Sequence, residues 1–151
     1  MAQESGDNRG PFLSAALFCE RVIEDKEGVL SAIRIVDRLF FQIPNLPSGV
    51  SRPPLPVNLT MLVTFKAGVA RGRSSVKIRS EAPSGLKGSE IAFPVLFEGE
   101  DRGVNLILNT GLLAEEEGLY WFDVLLDDQP VTRVPLRVVF HQVETGPAKT
   151  Q

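Results

Sequence analysis

An all-β sandwich is the fold class this sequence predicts, and three observations carry the prediction. Apolar side chains recur at every second residue through most of the 151-residue chain. The segments that show this period are separated by Gly, Pro and acidic turns, and no window sustains a 3.6-residue apolar stripe with caps at both ends. The pattern is clearest from Gly118 to Phe140, where Tyr120, Phe122, Val124 and Leu126 alternate on one arm and Val134, Leu136, Val138 and Phe140 on the other. Asp127-Asp128-Gln129-Pro130 joins the arms as a turn, so the segment reads as a β-hairpin with one buried face. Such a face needs a second layer to cover it.

In chain order, the alternation predicts strands at about Leu13–Ile23, Val29–Phe41, Val57–Phe65, Ser74–Ser80, Ser89–Phe97, Val104–Asn109, Leu119–Asp127 and Val131–Val143. In the third, Val57, Leu59, Met61, Val63 and Phe65 point one way and Asn58, Thr60 and Thr64 the other, with Leu62 the exception. The fourth puts Val76 and Ile78 inward and Lys77 and Arg79 outward. Pro94 and Pro135 fall inside predicted strands, which assigns those places to edges or bulges because proline cannot donate to a ladder. Pro44, Pro47, Pro53, Pro54 and Pro56 make residues 42–56 an extended connection that leads into the third strand. Residues 110–117 have room for a single helical turn, so helix content is small. The polar ends, residues 1–10 and 144–151, read as loose tails around one domain spanning 11–143.

Composition narrows the function classes. With 43% hydrophobic and 23% charged residues the chain is an ordinary globular domain, not a disordered or fibrous one. One cysteine permits no internal disulfide, which fits a reducing compartment. A net charge of −3 provides no global field for nucleic acid or an anionic membrane. The apolar run before Cys19 is short, follows Glu4 and Asp7, and ends in bulky Phe18, so it reads as a strand and not as a lipoprotein leader. No stretch approaches the roughly 18 apolar residues of a membrane-spanning helix. These features together give a cytoplasmic reading.

Few residues point to chemistry. If the strands alternate up and down, one end of the sandwich collects Glu24, Asp25 and Glu27, then Glu98, Glu100 and Asp101, then Asp127 and Asp128. Asp25, Glu27, Glu100, Asp101, Asp127 and Asp128 would then be the candidate ligands of a calcium site in a sandwich module, because calcium prefers about six to eight oxygen ligands. Lys26, Arg71, Arg73 and Arg102 would crowd the same end, and no Asp-x-Asp spacing is present. The lone histidine, His141, has the parity of the solvent face, Cys19 reads as a small buried hydrophobe, and no glycine cluster forms a phosphate loop. No catalytic residue and no cofactor is assigned. An enzyme that assembles His141 or Cys19 with an acid across the fold stands as a further alternative.

Recognition has more support. Trp121 has the opposite parity to Tyr120 and Phe122, and an outward tryptophan is frequent at interfaces. Arg52-Pro53-Pro54-Leu55-Pro56 has the form of a polyproline II ligand, with Arg52 and Leu55 as its reading points. The basic ribbon Lys66, Arg71, Arg73, Lys77 and Arg79 has no interleaved aromatics and reads as a solvated face.

Ala16-Leu17-Phe18-Cys19-Glu20, Ser31-Ala32-Ile33 and Gly118-x-Tyr120-x-Phe122 with its return strand give the chain a resemblance to a family of small uncharacterised bacterial proteins, the domain-of-unknown-function family 6941. The resemblance covers about Leu13 to Val143. It implies a bacterial, cytosolic Ig-like or C2-like sandwich and supplies no activity and no site residues. The expectation is a single antiparallel β-sandwich of about seven to nine strands that binds without catalysis. Its partner is another protein or a second copy of itself, with no nucleic acid, no membrane and no identifiable small-molecule ligand.

Overall fold

The computed structural model describes residues 9–143; of the tails expected at 1–10 and 144–151, residues 1–8 and 144–151 lie outside them. Nine strands follow in order: β1 (Phe12–Glu24), β2 (Leu30–Val36), β3 (Arg38–Pro44), β4 (Leu55–Pro56), β5 (Thr60–Glu81), β6 (Lys87–Asn109), β7 (Leu113–Ala114), β8 (Gly118–Leu126) and β9 (Gln129–Val143). There is no helix among the described residues, and the stretch considered for a helical turn contains β7, which pairs with β4.

Two layers arise because β5 and β6 are long and bent. The predicted third and fourth strands are one strand, β5, and the fifth and sixth are β6. In the first layer the order is β2-β1-β5-β6, with Phe18 opposite Met61 and Met61 opposite Leu108. In the second it is β6-β5-β8-β9-β3, with Ile91 opposite Ile78, Ile78 opposite Val124 and Val124 opposite Thr132. Between these halves the register slips from Lys66 to Arg71, where Gly68 and Gly72 on β5 and Gly99 and Glu100 on β6 all have positive φ. Glycine suits such a bend because a Cβ opposes the left-handed region. The fold-back is evident in one contact. Phe18 lies beside Met61 and Phe122 beside Ser80, positions that a straight β5 would hold about 60 Å apart, yet their rings meet edge to face at 4.8 Å.

The core lies between the layers. Phe18, Met61, Val63 and Phe65 from the first pack with Val76, Phe97, Val124, Leu136 and Val138 from the second, all almost completely buried. Val57 and Leu59 precede β5 but point inward as the alternation predicts. Leu62, the exception in that alternation, is 6% exposed on the outer face, where Leu17 and Ile107 flank it across the sheet.

The chain changes layer at Asp37, which splits the predicted second strand into β2 and β3. After that crossing β3 runs parallel to β9, so the expected all-antiparallel pairing is corrected to a mixed sheet. Pro94 lies on β6, an edge in both layers, and Pro135 lies on the part of β9 that β3 does not reach. Both obey the restriction on proline in ladders.

Local polar contacts fix the corners. Tyr120 is 2% exposed and donates its hydroxyl to the Glu116 carbonyl at 2.7 Å while accepting the Glu116 N–H at 3.3 Å. That contact is the tyrosine corner found in immunoglobulin-like sandwiches. Asp127 and Asp128 both have positive φ, which makes the β8–β9 connection a two-residue type I′ turn whose twist matches the strands it joins. Thr110 holds the approach to β5, its hydroxyl 2.8 Å from the Leu59 carbonyl and 3.1 Å from that of Val57.

Candidate functional site

The least covered part of the sandwich is the β6 side. β6 pairs with β5 and with no other described strand, so its second row of backbone groups is unpaired among the described residues. Below the bend its two halves belong to different layers, and the gap between them opens into an apolar cleft of about 620 Å³. Met61, Ile78 and Phe122 form the floor, Phe93 and Leu108 the walls, and Ile91 and Leu113, 51% and 57% exposed, the mouth. Ser80, Ser89, Asn109 and Thr110 are the polar side chains of its lining, and no ionisable group lines it. A shallower space of about 430 Å³ continues past Leu112 toward Lys87, Glu115 and Glu116. The larger volume lies within the roughly 300–1,000 Å³ of ordinary ligand pockets.

The four outer edges differ in how they resist another strand. β2 carries Arg34 at φ 55, a local distortion that disturbs its ladder. The second-layer half of β6 carries Lys87, Glu90, Pro94 and Glu98, and β3 carries Arg38 and ends at Pro44. The first-layer half of β6, Gly103–Asn109, contains no charge, proline or bulge. Charges, prolines and bulges are the devices that blunt a free edge. Of these four edges among the described residues, this one has none of them.

The residues singled out from sequence do not gather here. Trp121 is half-buried on the outer face of the second layer, under the Arg133 guanidinium at 4.7 Å. Arg133 is held there by Asp123 at 2.5 Å and Glu81 at 2.8 Å, and the Asp123 hydrogen bond pushes its pKa up. Arg52 lies over the Phe140 ring at 5.0 Å. Leu55 sits in β4 and packs on the core, so the proline segment spends Leu55 on the fold and does not present it as a free anchor.

The carboxylate set requires a correction. Phe12 pairs with Lys66 beside the bend, whereas Asp25 and Glu27 follow the far end of β1, about 40 Å along the strand. Asp25 and Glu27 therefore do not converge with Glu100 and Asp101. Asp25 instead accepts the N–H groups of Glu27 and Val29 in its own turn, Asp127 accepts the Ser75 N–H, and Asp128 pairs with Lys77 at 2.5 Å. No group of three or more His, Cys, Asp and Glu able to hold a metal occurs among the described residues.

The remaining candidates are also apart. Cys19 is fully buried on the outer side of β1, its thiol pushed up in pKa by burial, and His141 is exposed on β9, stacked on Phe40 at 5.3 Å. Three members of the basic ribbon are tied down in place. Lys77 is held charged first by its hydrogen bond to Asp128, Glu90 lies 3.8 Å from Arg79, and Arg71 donates to the Glu98 carbonyl at 2.9 Å.

The model of a family of unknown function, DUF6941, matches residues 14–139. The chain belongs to that family. No curated protein matches this DUF6941 chain. Among solved structures, an immunoglobulin-like protein from Pseudomonas aeruginosa is similar at 11% identity and a TM-score of 0.44, over 88% of this chain and 99% of that one. The immunoglobulin-like character of the DUF6941 fold rests on its own two layers and its tyrosine corner. No helix is long and apolar enough to cross a membrane among the described residues.

Ile91, Ile107 and Leu113 escaped the sequence reading. The parity of Ile91 and Ile107 was legible, since Ile91 keeps step with Val95 and Phe97 and Ile107 alternates against Leu106 and Leu108, whereas Leu113 falls in the stretch expected to hold a helical turn. What made them a surface was the position of β6 at the rim of both layers, and no local pattern encodes strand order.

Proposed function

We propose that this DUF6941 protein is a non-catalytic interaction module of the bacterial cytosol that holds a protein partner along the open side of β6. The observation that carries the reading is the uncharged edge Gly103–Asn109 beside an apolar cleft, with Ile91, Ile107 and Leu113 all about half exposed. Main-chain pairing supplies affinity at such an edge, and pockets for alternate side chains supply selectivity. The absence of ionisable groups from the cleft lining supports binding over proton chemistry. A single buried thiol supports a reducing compartment.

The test uses a photo-crosslinking residue at Ile91, with Val29 as an equally exposed apolar control on the β1–β2 connection. A defined protein adduct at position 91 that is missing at position 29 is the expected result. Equal labelling at the two positions, or none at 91, removes the reading.

A further inference from the structure

The exposed segment of β6 is nearly self-complementary. Read in either direction, Gly103-Val104-Asn105-Leu106-Ile107-Leu108-Asn109-Thr110-Gly111 differs only in exchanging Val104 for Thr110, side chains of the same shape. In an antiparallel pair of identical strands a two-fold axis at Ile107 sets Asn105 opposite Asn109 of the second copy, Leu106 opposite Leu108, and Ile107 opposite itself. We infer that the partner of this edge is a second copy of the chain, joined by antiparallel pairing of the two β6 strands about Ile107.

Backbone orientation agrees. The Thr110 N–H donates to the Leu59 carbonyl at 2.9 Å, and Thr60 lies opposite Asn109. Antiparallel ladders alternate, so Leu108 and Leu106 turn their N–H and C=O groups toward β5, and Asn109, Ile107 and Asn105 turn theirs toward the open edge. These outward residues are the ones the two-fold axis brings face to face. Two hydrogen bonds from the Ile107 pair and two from each flanking Asn105–Asn109 pair give about six. The side chains also fit. Leu17, Leu62 and Ile107 already form a cross-sheet row on the outer face, and the second copy extends it through its own Ile107, which is 46% exposed in the single chain. No like charges meet along this register, because the segment has none.

This inference rests on β6 being the binding side, and the experiment separates the two. An Ile107→Cys chain is expected to form a disulfide-linked dimer on mild oxidation. The Cα atoms of a hydrogen-bonded pair lie about 5.5 Å apart, inside the roughly 4.4–6.8 Å that a disulfide spans. Asn105→Cys alone should not cross-link, whereas Asn105→Cys mixed with Asn109→Cys should, and wild type, with Cys19 buried, should not. In light scattering, Ile107→Lys is expected to raise the dimer dissociation constant at least about tenfold, while Leu96→Lys on the second-layer half of β6 leaves it unchanged.

A strictly monomeric wild type, a dimer indifferent to Ile107→Lys, or cross-linking of Asn105→Cys alone as readily as Ile107→Cys overturns the self-pairing. If it fails while position 91 still labels a distinct protein, β6 remains the binding side. If both fail, that reading falls with it.

Discussion

Replacing Tyr120 by Phe tests whether the corner at the start of β8 holds the sandwich as the geometry says. The substitution keeps the ring and removes one oxygen, which donates to the Glu116 carbonyl at 2.7 Å and accepts its N–H at 3.3 Å. A neutral hydrogen bond contributes a net of about 0.5–1.5 kcal/mol. The second contact is long and Glu116 is half-exposed, so water reaches the orphaned backbone groups and the two together come to about 1–2 kcal/mol. For a chain of this size that lowers the unfolding midpoint by roughly 3–7 °C.

The pH dependence provides a second reading of the same group. Burial pushes the Tyr120 pKa up, so the folded state keeps its proton where the unfolded state, near about pH 10, releases it. Stability from this source is complete below about pH 10 and is lost as pH rises through the folded value. Denaturant unfolding at several pH values should therefore show a decline above about pH 10 in wild type that is shallower in Tyr120→Phe. A change below about 0.3 kcal/mol at neutral pH, together with an unaltered alkaline limb, refutes the corner's role.

Phe18→Ala should cost about 3–5 kcal/mol in equilibrium denaturation, because Phe18 is 1% exposed and joins the layers through Phe122; a cost below about 2 would show that the site collapses freely. Asp128→Gly should leave stability within about 0.5 kcal/mol of wild type, since the relief of φ 65 in a type I′ turn that favours glycine, about 0.5–1 kcal/mol, is offset by the lost exposed ion pair with Lys77, and a loss of more than about 1 kcal/mol on thermal melting would count against that turn. The Cys19 thiol should resist a thiol reagent in the native protein and react on unfolding. Fast native labelling would place it outside the sheet packing that buries it.

Much of the fold was legible because two-residue periodicity is a local property. The parity of Val57, Leu59, Met61, Val63 and Phe65 named the core face correctly, and the Asp127-Asp128 turn and both strand prolines fell where their backbone chemistry requires. Continuity was not legible. Gly68, Gly72 and Gly99 look like residues of tight turns, and a bend in a long strand uses the same positive φ as a turn between two short ones. Reading β2 and β3 as one strand missed the reversal of direction at Asp37, which turned β1 end for end, and that error produced the expected meeting of Asp25 and Glu27 with Glu100 and Asp101. At Trp121 a different limit applies: parity shows which way a side chain leaves the strand, but not that Arg133 will lie over it.

The same bend explains why the binding side is where it is. A sandwich assembled from separate hairpins would have different strands at the rims of its two layers, each free to acquire its own protection. Here one strand supplies a rim to both layers, and the devices that discourage pairing, Lys87, Glu90, Pro94 and Glu98, all lie on its second-layer half. Beyond Gly103 the strand turns into Val104-Asn105-Leu106-Ile107-Leu108-Asn109, whose side chains are uncharged and whose outward backbone groups have no described partner. Solubility alone would favour a lysine at Ile107, which is 46% exposed and lies beside Leu62 on the outer face, away from the core between the layers. An isoleucine there, centred in a segment that reads alike in both directions, is accounted for by a strand that pairs with its own copy.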